Sequence, residues 1–160
     1  MDFLAALAAR AAAVSPAELA VTRVAFRGIL AGRPARTADV PDAAVLPTTI
    51  AHAALDALLA RGSVAVDGEG AIVVARGLSL RPTPHRLSLA GRHEPLFAGC
   101  AVDAVGIPAA LTADGAVASR CHHCATPMAL TARAGGISAP AGLVIWAADD
   151  DGHGSVRALT

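Results

Sequence analysis

The spacing of apolar residues predicts three helices in the first third of the chain. Residues 15–18, Ser-Pro-Ala-Glu, combine a serine cap, a proline at the first helical position and a glutamate placed for a capping box, which indicates a helix over about 16–31. A short helix is expected near 38–44. A third begins at about 47 and keeps helical spacing up to Gly62, through Ile50, Ala54, Leu55, Leu58 and Leu59.

A β-hairpin is predicted after the third helix. Apolar residues 64–66 and 72–74 flank the turn sequence Asp-Gly-Glu-Gly. Three helices followed by a hairpin are the outline of a winged helix, which has two interpretations. DNA binding would require a row of base-reading side chains, but the third helix carries only Arg61 at its end. The sequence therefore favours a winged helix that serves as a packing scaffold.

The pattern changes after Arg81, where prolines become frequent, so the chain is divided into a region 1–80 and a region 81–160. A strand is predicted over 85–89, and further strands over 116–119, 128–133 and 142–147. Pro95 suits the start of a helix that ends near Gly106 and Pro108 and carries Leu96, Cys100, Asp103 and Ala104. The expected fold class is α+β: a winged-helix-like helical region with a β-hairpin, followed by a small mixed β-sheet with a Cys/Asp-bearing helix.

Composition narrows the choice of partners and compartment. The formal net charge is +0, which lacks the basic footprint of a nucleic-acid binder, so nucleic acid is not an expected partner. No uncharged stretch approaches the ~20 residues of a membrane span, so no membrane partner is expected. Asp2 and Arg10 do not fit a signal peptide, and residues 1–10 are expected to form an ordinary helix of a cytoplasmic protein.

All three cysteines lie between residues 100 and 124. Cys121-His122-His123-Cys124 offers four potential ligands for a soft metal such as zinc, copper(I) or mercury. There is no second Cys-x-x-Cys, so a self-contained zinc ribbon is not expected, and the motif lacks the thioredoxin-like setting of a redox pair. The alternative for Cys124 is a small buried residue.

Cys100 and Asp103 are three residues apart, which in a helix would place a sulfur beside a carboxyl group on one face. A carboxyl group on an apolar face is desolvated and favours its protonated form, which makes it a candidate proton donor. Two simpler interpretations remain. Cys100 could be an ordinary core cysteine, and Asp103 could cap the helix or pair with an arginine such as Arg120.

The same residues resemble the catalytic domain of the organomercurial (alkylmercury) lyases. The resemblance is carried by residues 96–104, 108–109, 117–121, 127–131 and 140–144. Upstream, residues 32–34 with the following helices and hairpin, and residues 77–83, are similar to the winged-helix-like region of that family. The resemblance covers nearly the whole chain, and Cys-x-x-Asp is its most specific part.

This resemblance implies protonolysis of a carbon–mercury bond in an organomercurial substrate. Cys100 matches a mercury-binding cysteine, Asp103 matches the acid that handles the proton, and Cys121 matches a cysteine that supports the site. No bound organic cofactor is implied. Low-molecular-weight thiols would help to remove the mercury product, and a mercuric reductase would be the downstream partner.

The sequence departs from the family pattern in two places. A second catalytic cysteine is expected beyond the position of Val156, in a segment that this sequence, ending at Thr160, does not include. Cys124 is the expected substitute, together with Cys121. Gly99 also stands where a bulky aromatic residue is expected, so the pocket should be reshaped.

Two alternatives belong to other functional classes. The first is a non-catalytic metal-binding or metal-sensing protein in which Cys100, Cys121 and Cys124 hold one soft ion. The second is a winged-helix transcription factor, which the neutral charge disfavours.

Overall fold

The computed structural model describes residues 13–133, 136–143 and 145. The predicted helix over 1–10 and the acidic tail 149–154 lie outside the described residues. Within the described residues, three helical segments and a 3-10 turn precede the first strand: α1 (Pro16–Leu30), the turn (Thr37–Asp39), α2 (Val40–Ala44) and α3 (Thr48–Ala60). All three predicted helices are confirmed within one or two residues, apart from the 3-10 turn that leads into α2.

Helix α1 begins at the predicted capping box. The Ser15 hydroxyl accepts a hydrogen bond from the Glu18 backbone N–H at 3.2 Å, and the Glu18 carboxylate accepts one from the Ser15 N–H at 2.7 Å. Glu18 also forms an ion pair with Arg61 at 2.7 Å, although its side chain is only 9% exposed. The start of α1 is therefore tied to the end of α3.

The strands of the described chain form one antiparallel sheet. The strands are β1 (Val64–Val66), β2 (Ile72–Ala75), β3 (Leu78–Ser79), β4 (His85–Leu89), β5 (Leu96–Ala98), β6 (Gly115–Arg120), β7 (Pro127–Arg133) and β8 (Gly136–Ser138). Their order in the sheet is β1-β2-β3-β5-β4-β6-β7-β8. The expected α+β class is confirmed, but every pairing between these strands is antiparallel, so the expectation of a mixed sheet was wrong.

The sheet runs across the predicted division at residue 81. Strand β3 pairs with β5, so the hairpin of the first region continues directly into the sheet of the second. The hydrophobic core is shared as well, because its fully buried side chains come from both regions, among them Val21, Ile29, Ile72, Leu78, Leu87, Leu96 and Val117. The division into 1–80 and 81–160 stays a prediction.

The helix predicted from Pro95 was wrong at its start. Residues Leu96–Ala98 form strand β5, and the helix, α4, spans Ala101–Ala110 with Pro108 inside it. The periodicity of a short apolar run is compatible with a strand and with a helix. Here residues 96–98 form a strand because they pair with β3 on one side and with β4 on the other.

Two further differences concern the last part of the described chain. Strand β8 was not predicted. Of the strand expected over 142–147, Gly142 lies in a turn and Leu143 and residue 145 are outside the strands, while residues 144, 146 and 147 lie outside the described residues. None of the helices in the described part of the chain combines the length and apolar character needed to cross a membrane.

Candidate active site

Cys100 and Asp103 meet at the first turn of α4. Cys100 is the residue that caps the helix, with an extended backbone at φ −149° and ψ 174°. Its sulfur accepts a hydrogen bond from the Asp103 N–H at 3.4 Å, and its S–H donates to Asp103 Oδ2 at 3.1 Å. The expected proximity is therefore observed, but it comes from capping geometry and not from a shared helix face.

The Asp103 carboxyl group packs against the turn between β2 and β3. Arg76 and Gly77 form this two-residue turn, and both have positive φ, at 47° and 75°. A Cβ atom on Gly77 would overlap the Asp103 carboxyl group. The Gly99 N–H donates to the Gly77 carbonyl at 2.6 Å, which joins the turn to the segment before Cys100. A glycine at position 77 thus leaves the space that the carboxyl group fills.

His85 was not predicted as part of this site. It is the first residue of β4 and is only 9% exposed, and its Nδ1 lies 2.7 Å from the Ser119 hydroxyl of β6. Burial lowers the pKa of His85, and the negative charge of Asp103 opposes this shift. The signal was present in the sequence, because alternation along β4 puts His85 on the same buried face as Leu87 and Leu89.

Cys121 and Cys124 lie in the turn between β6 and β7. The turn is closed by hydrogen bonds from Cys121 N–H to the Thr126 carbonyl and from Ala125 N–H to the Cys121 carbonyl, both at 2.9 Å. Cys124 is exposed, with its sulfur 3.0 Å from the Thr126 hydroxyl, so the alternative of a small buried residue was wrong. Hydrogen bonding with Thr126 lowers the pKa of Cys124, and hydrogen bonding with Cys121 makes a smaller contribution in the same direction.

The sheet brings Cys100 and Cys121 to the same end of the molecule. Strands β5 and β6 both run antiparallel to β4, which lies between them, so the residues that follow the two strands emerge at one edge. Within the described residues, however, no group of three or more His, Cys, Asp or Glu side chains is placed to hold a metal ion. The structure therefore does not bring Cys100, Cys121 and Cys124 together as one set of metal ligands.

The alternative pairing of Asp103 with Arg120 is not observed either. The Arg120 guanidinium donates to the Ala125 carbonyl at 3.4 Å, within its own turn. Among the described residues, the Asp103 carboxyl group contacts Cys100 and the glycine turn.

The comparison with known families decides the assignment. Residues 78–160, more than half of the chain, match the profile of the alkylmercury lyases. The chain belongs to the alkylmercury lyase family. Cys100, Asp103, Cys121 and Cys124 all fall inside the matched part, as do His85 and Ser119.

Individual alkylmercury lyases support the assignment. The chain is 33% identical to the Streptomyces lividans alkylmercury lyase over 104 residues, which cover 64% of this chain and 47% of that protein. It is 41% identical to the Staphylococcus epidermidis alkylmercury lyase over 69 residues, which cover 43% and 31%. The chain thus spans less than half the length of these curated relatives.

A solved structure extends the likeness to the fold. The mercury-bound form of MerB2 superposes with a TM-score of 0.73 at 28% sequence identity, over 79% of this chain and 61% of that one. The superposition covers more of the chain than the family profile does, so part of the region before residue 78 also shares the fold. This agrees with a single sheet that continues across residue 81.

Burial changes the protonation behaviour of both members of the Cys100–Asp103 pair. Burial raises the pKa of the Cys100 thiol to about 11, and the Asp103 side chain adds to the shift. Burial also raises the pKa of Asp103, although its hydrogen bonds with Cys100 act in the opposite direction. The thiol is therefore protonated at neutral pH, and its proton points at a carboxyl group that binds protons more readily than an exposed aspartate.

Proposed function

We propose that this chain cleaves the carbon–mercury bond of organomercurials, with Cys100 capturing mercury and Asp103 transferring the proton. The observation that carries the proposal is the 3.1 Å contact between Cys100 Sγ and Asp103 Oδ2 in a chain of the alkylmercury lyase family. A mercury-binding sulfur and a proton carrier have to be this close for the two steps to act on one substrate.

The proposed reaction balances without an oxidant or a reductant. The Cys100 sulfur forms a bond to mercury and displaces its previous ligand, while the thiol proton passes to the Asp103 carboxylate along their hydrogen bond. Asp103 then delivers that proton to the carbon as the carbon–mercury bond breaks. Mercury remains divalent and bound to sulfur, and the organic group leaves as the protonated hydrocarbon.

The pKa shifts support this order of events. Burial keeps the proton on the free thiol, because a buried thiolate without a partner would be costly. A soft metal ion at the sulfur removes this penalty, since thiolates are the form that binds metal and binding releases the proton. The released proton then has the adjacent Asp103 carboxylate as its acceptor.

A second sulfur ligand would assist the cleavage by adding electron density to the bound carbon. We propose Cys124 for this role, with Cys121 as the second candidate, and low-molecular-weight thiols to remove the mercury product. The same scheme requires no bound organic cofactor. It operates in the cytoplasm, where a mercuric reductase would be the partner that takes the ion.

The test is release of hydrocarbon from a simple organomercurial by the reduced protein in excess thiol. Cys100→Ser should abolish turnover, and Asp103→Asn should lower kcat by about 10²- to 10⁴-fold, the usual contribution of a general acid. Unchanged turnover in either variant would refute the roles given to these residues. Cys124→Ser tests the second ligand separately, and unchanged mercury affinity and turnover would eliminate it.

A second candidate function is soft-metal binding without catalysis. It is favoured by the exposed Cys124 thiol and the neighbouring Cys121 side chain in one closed turn, a pair suited to a two-coordinate soft ion. The Cys121–Cys124 pair alone carries this candidate, since the three cysteines do not form one ligand set in the described structure. Stoichiometric mercury binding without hydrocarbon release would support this candidate and contradict the lyase.

A further inference from the structure

A groove of about 450 Å³ lies between helices α1 and α4, and Asp103 is among the residues that line it. Other parts of the lining are apolar, with Phe26 from α1 and Ile107 from α4. If Asp103 delivers a proton to the departing carbon, as the proposed function requires, the organic group has to lie beside Asp103 when the bond breaks. The groove is a space of suitable size that adjoins this position.

Three arginines also line the groove: Arg23 and Arg27 of α1, and Arg76 of the β2–β3 turn. In the part of the chain that the structure describes, none of the three forms an ion pair or a side-chain hydrogen bond, whereas Arg36 and Arg61 each pair with a glutamate. Their positive charges are therefore not balanced by described side chains.

The arrangement of these charges favours binding of an anion. Arg23 and Arg27 are four residues apart on one helix face, where like charges repel each other. Asp103 is the one acid among the described residues that line the groove, and its contacts are with Cys100 and the glycine turn. A ligand with a negative group would relieve the repulsion without disturbing the Cys100–Asp103 pair.

We infer that this groove binds the organic group of the substrate and favours organomercurials whose organic group carries a carboxylate. The apolar residues would contact the hydrocarbon part, and the arginines would hold the carboxylate, since a guanidinium matches a carboxylate in charge and geometry. The inference rests on the proposed function for the position of mercury, and it adds a substrate class to it.

The test compares phenylmercury with 4-carboxyphenylmercury, which differ only in the carboxylate. The added thiol is 2-mercaptoethanol, so that the substrate is the one source of a carboxylate. The wild-type protein should show a lower KM for the carboxylated substrate. Arg23→Gln and Arg76→Gln should each raise that KM by about fivefold, as expected for a solvent-accessible charge pair, and should leave the KM of phenylmercury within about twofold.

Arg133→Gln is the matched control, because Arg133 is also an exposed arginine but does not line the groove. It should leave both KM values unchanged. Equal KM values for the two substrates in the wild type, or arginine variants that raise both to the same extent, would overturn the inference.

Failure of the proposed function gives a different result. If phenylmercury releases no benzene, the lyase proposal fails, whatever the arginine variants do. The groove is then tested by binding, with each mercurial partitioned between the protein and 2-mercaptoethanol. Tighter retention of 4-carboxyphenylmercury that is lost in Arg23→Gln and Arg76→Gln would support the groove, and equal retention would refute it.

Discussion

Asp103 is placed where its proposed catalytic role and its contribution to stability oppose each other. Burial raises its pKa in the folded protein above the ordinary value of 3.8. The folded state therefore holds this proton more tightly than the unfolded state does. The resulting stabilisation is fully present below the unfolded pKa and is lost as the pH rises through the folded pKa.

Asp103→Asn should consequently gain stability relative to the wild type as the pH rises. Asparagine keeps the shape and can still accept a hydrogen bond from Cys100, but it has no charge to desolvate. Melting temperatures measured between pH 4 and pH 8 should show the difference moving in favour of the variant, while its kcat for hydrocarbon release stays lowered as proposed above. Asp56→Asn on the exposed side of α3 is the control, and a pH-independent difference for Asp103→Asn would contradict the argument.

Gly77→Ala should displace the Asp103 carboxyl group, because the new Cβ would occupy its position. We expect kcat to fall by at least tenfold and the pKa of Asp103, followed by NMR, to move towards its ordinary value. Alanine at positive φ also costs about 1 kcal/mol of stability.

The matched control for this substitution is Gly62→Ala. Gly62 has a similar φ of 66°, but no neighbouring atom lies within 4 Å of the position that its Cβ would take. It should show the stability loss without the loss of kcat. Equal losses of activity in the two variants would mean that strain, and not the space for the carboxyl group, explains the effect at Gly77.

The residues of the candidate site differ in how far the sequence could predict them. Cys100 and Asp103 are three positions apart, so their contact depends on one local turn and was predictable. Gly77 acts on Asp103 across 26 positions of sequence, and only the packing of the β2–β3 turn against α4 reveals it. His85 could have been found from its place on the buried face of a predicted strand.

At the scale of elements, local sequence signals were sufficient to predict the helices before the first strand but insufficient to predict some of the strands. The capping box at Ser15 fixes the start of α1 through bonds within one turn, and the sequence predicted it. Strand β5 is three residues long and exists because β3 and β4 supply partners on both sides. No local signal in the sequence identifies those partners, so the helix-start signal of Pro95 led to the wrong prediction of a helix over Leu96–Ala98.

The end of α2 offers a test of local strain. Val45 caps this helix with φ at 54°, a left-handed conformation that disfavours a β-branched residue, and it is 88% exposed. Val45→Gly should stabilise the protein by up to about 1 kcal/mol, because glycine adopts this conformation without a Cβ clash and little packing is lost. Thermal unfolding should show a melting temperature higher by about 2–4 °C.

Val45→Ala separates the causes of this effect. Alanine removes the branched side chain but keeps a Cβ at positive φ, so it should recover only part of the gain. A melting temperature that falls in Val45→Gly would show that the valine side chain stabilises α2 by contacts that outweigh its strain.

For the whole molecule, the continuous sheet predicts cooperative unfolding. The higher frequency of prolines after Arg81 led to the predicted division into two regions. However, β3 and β5 pair across this division, and both regions contribute residues to the core. Prolines and a change of composition mark a boundary only where few contacts cross it. Here a strand pairing crosses the predicted boundary, and such a pairing between distant segments cannot be derived from composition.

Leu87→Ala tests whether the two regions unfold together. Leu87 is fully buried in β4 and lies opposite Leu96 of β5 and Val117 of β6, all in the second region. The substitution should cost about 2–5 kcal/mol through lost burial and a cavity. If the sheet and core act as one unit, amide protection in α1 and α3 should fall by the same free energy as protection in β4 and β6.

Ile50→Ala is the control, at a large side chain that is 48% exposed. It should change the protection of the helices and of the strands by no more than about 0.5 kcal/mol. Helices α1 and α3 that keep their protection while β4 and β6 lose theirs would instead establish the division at residue 81 as a boundary between separately stable regions.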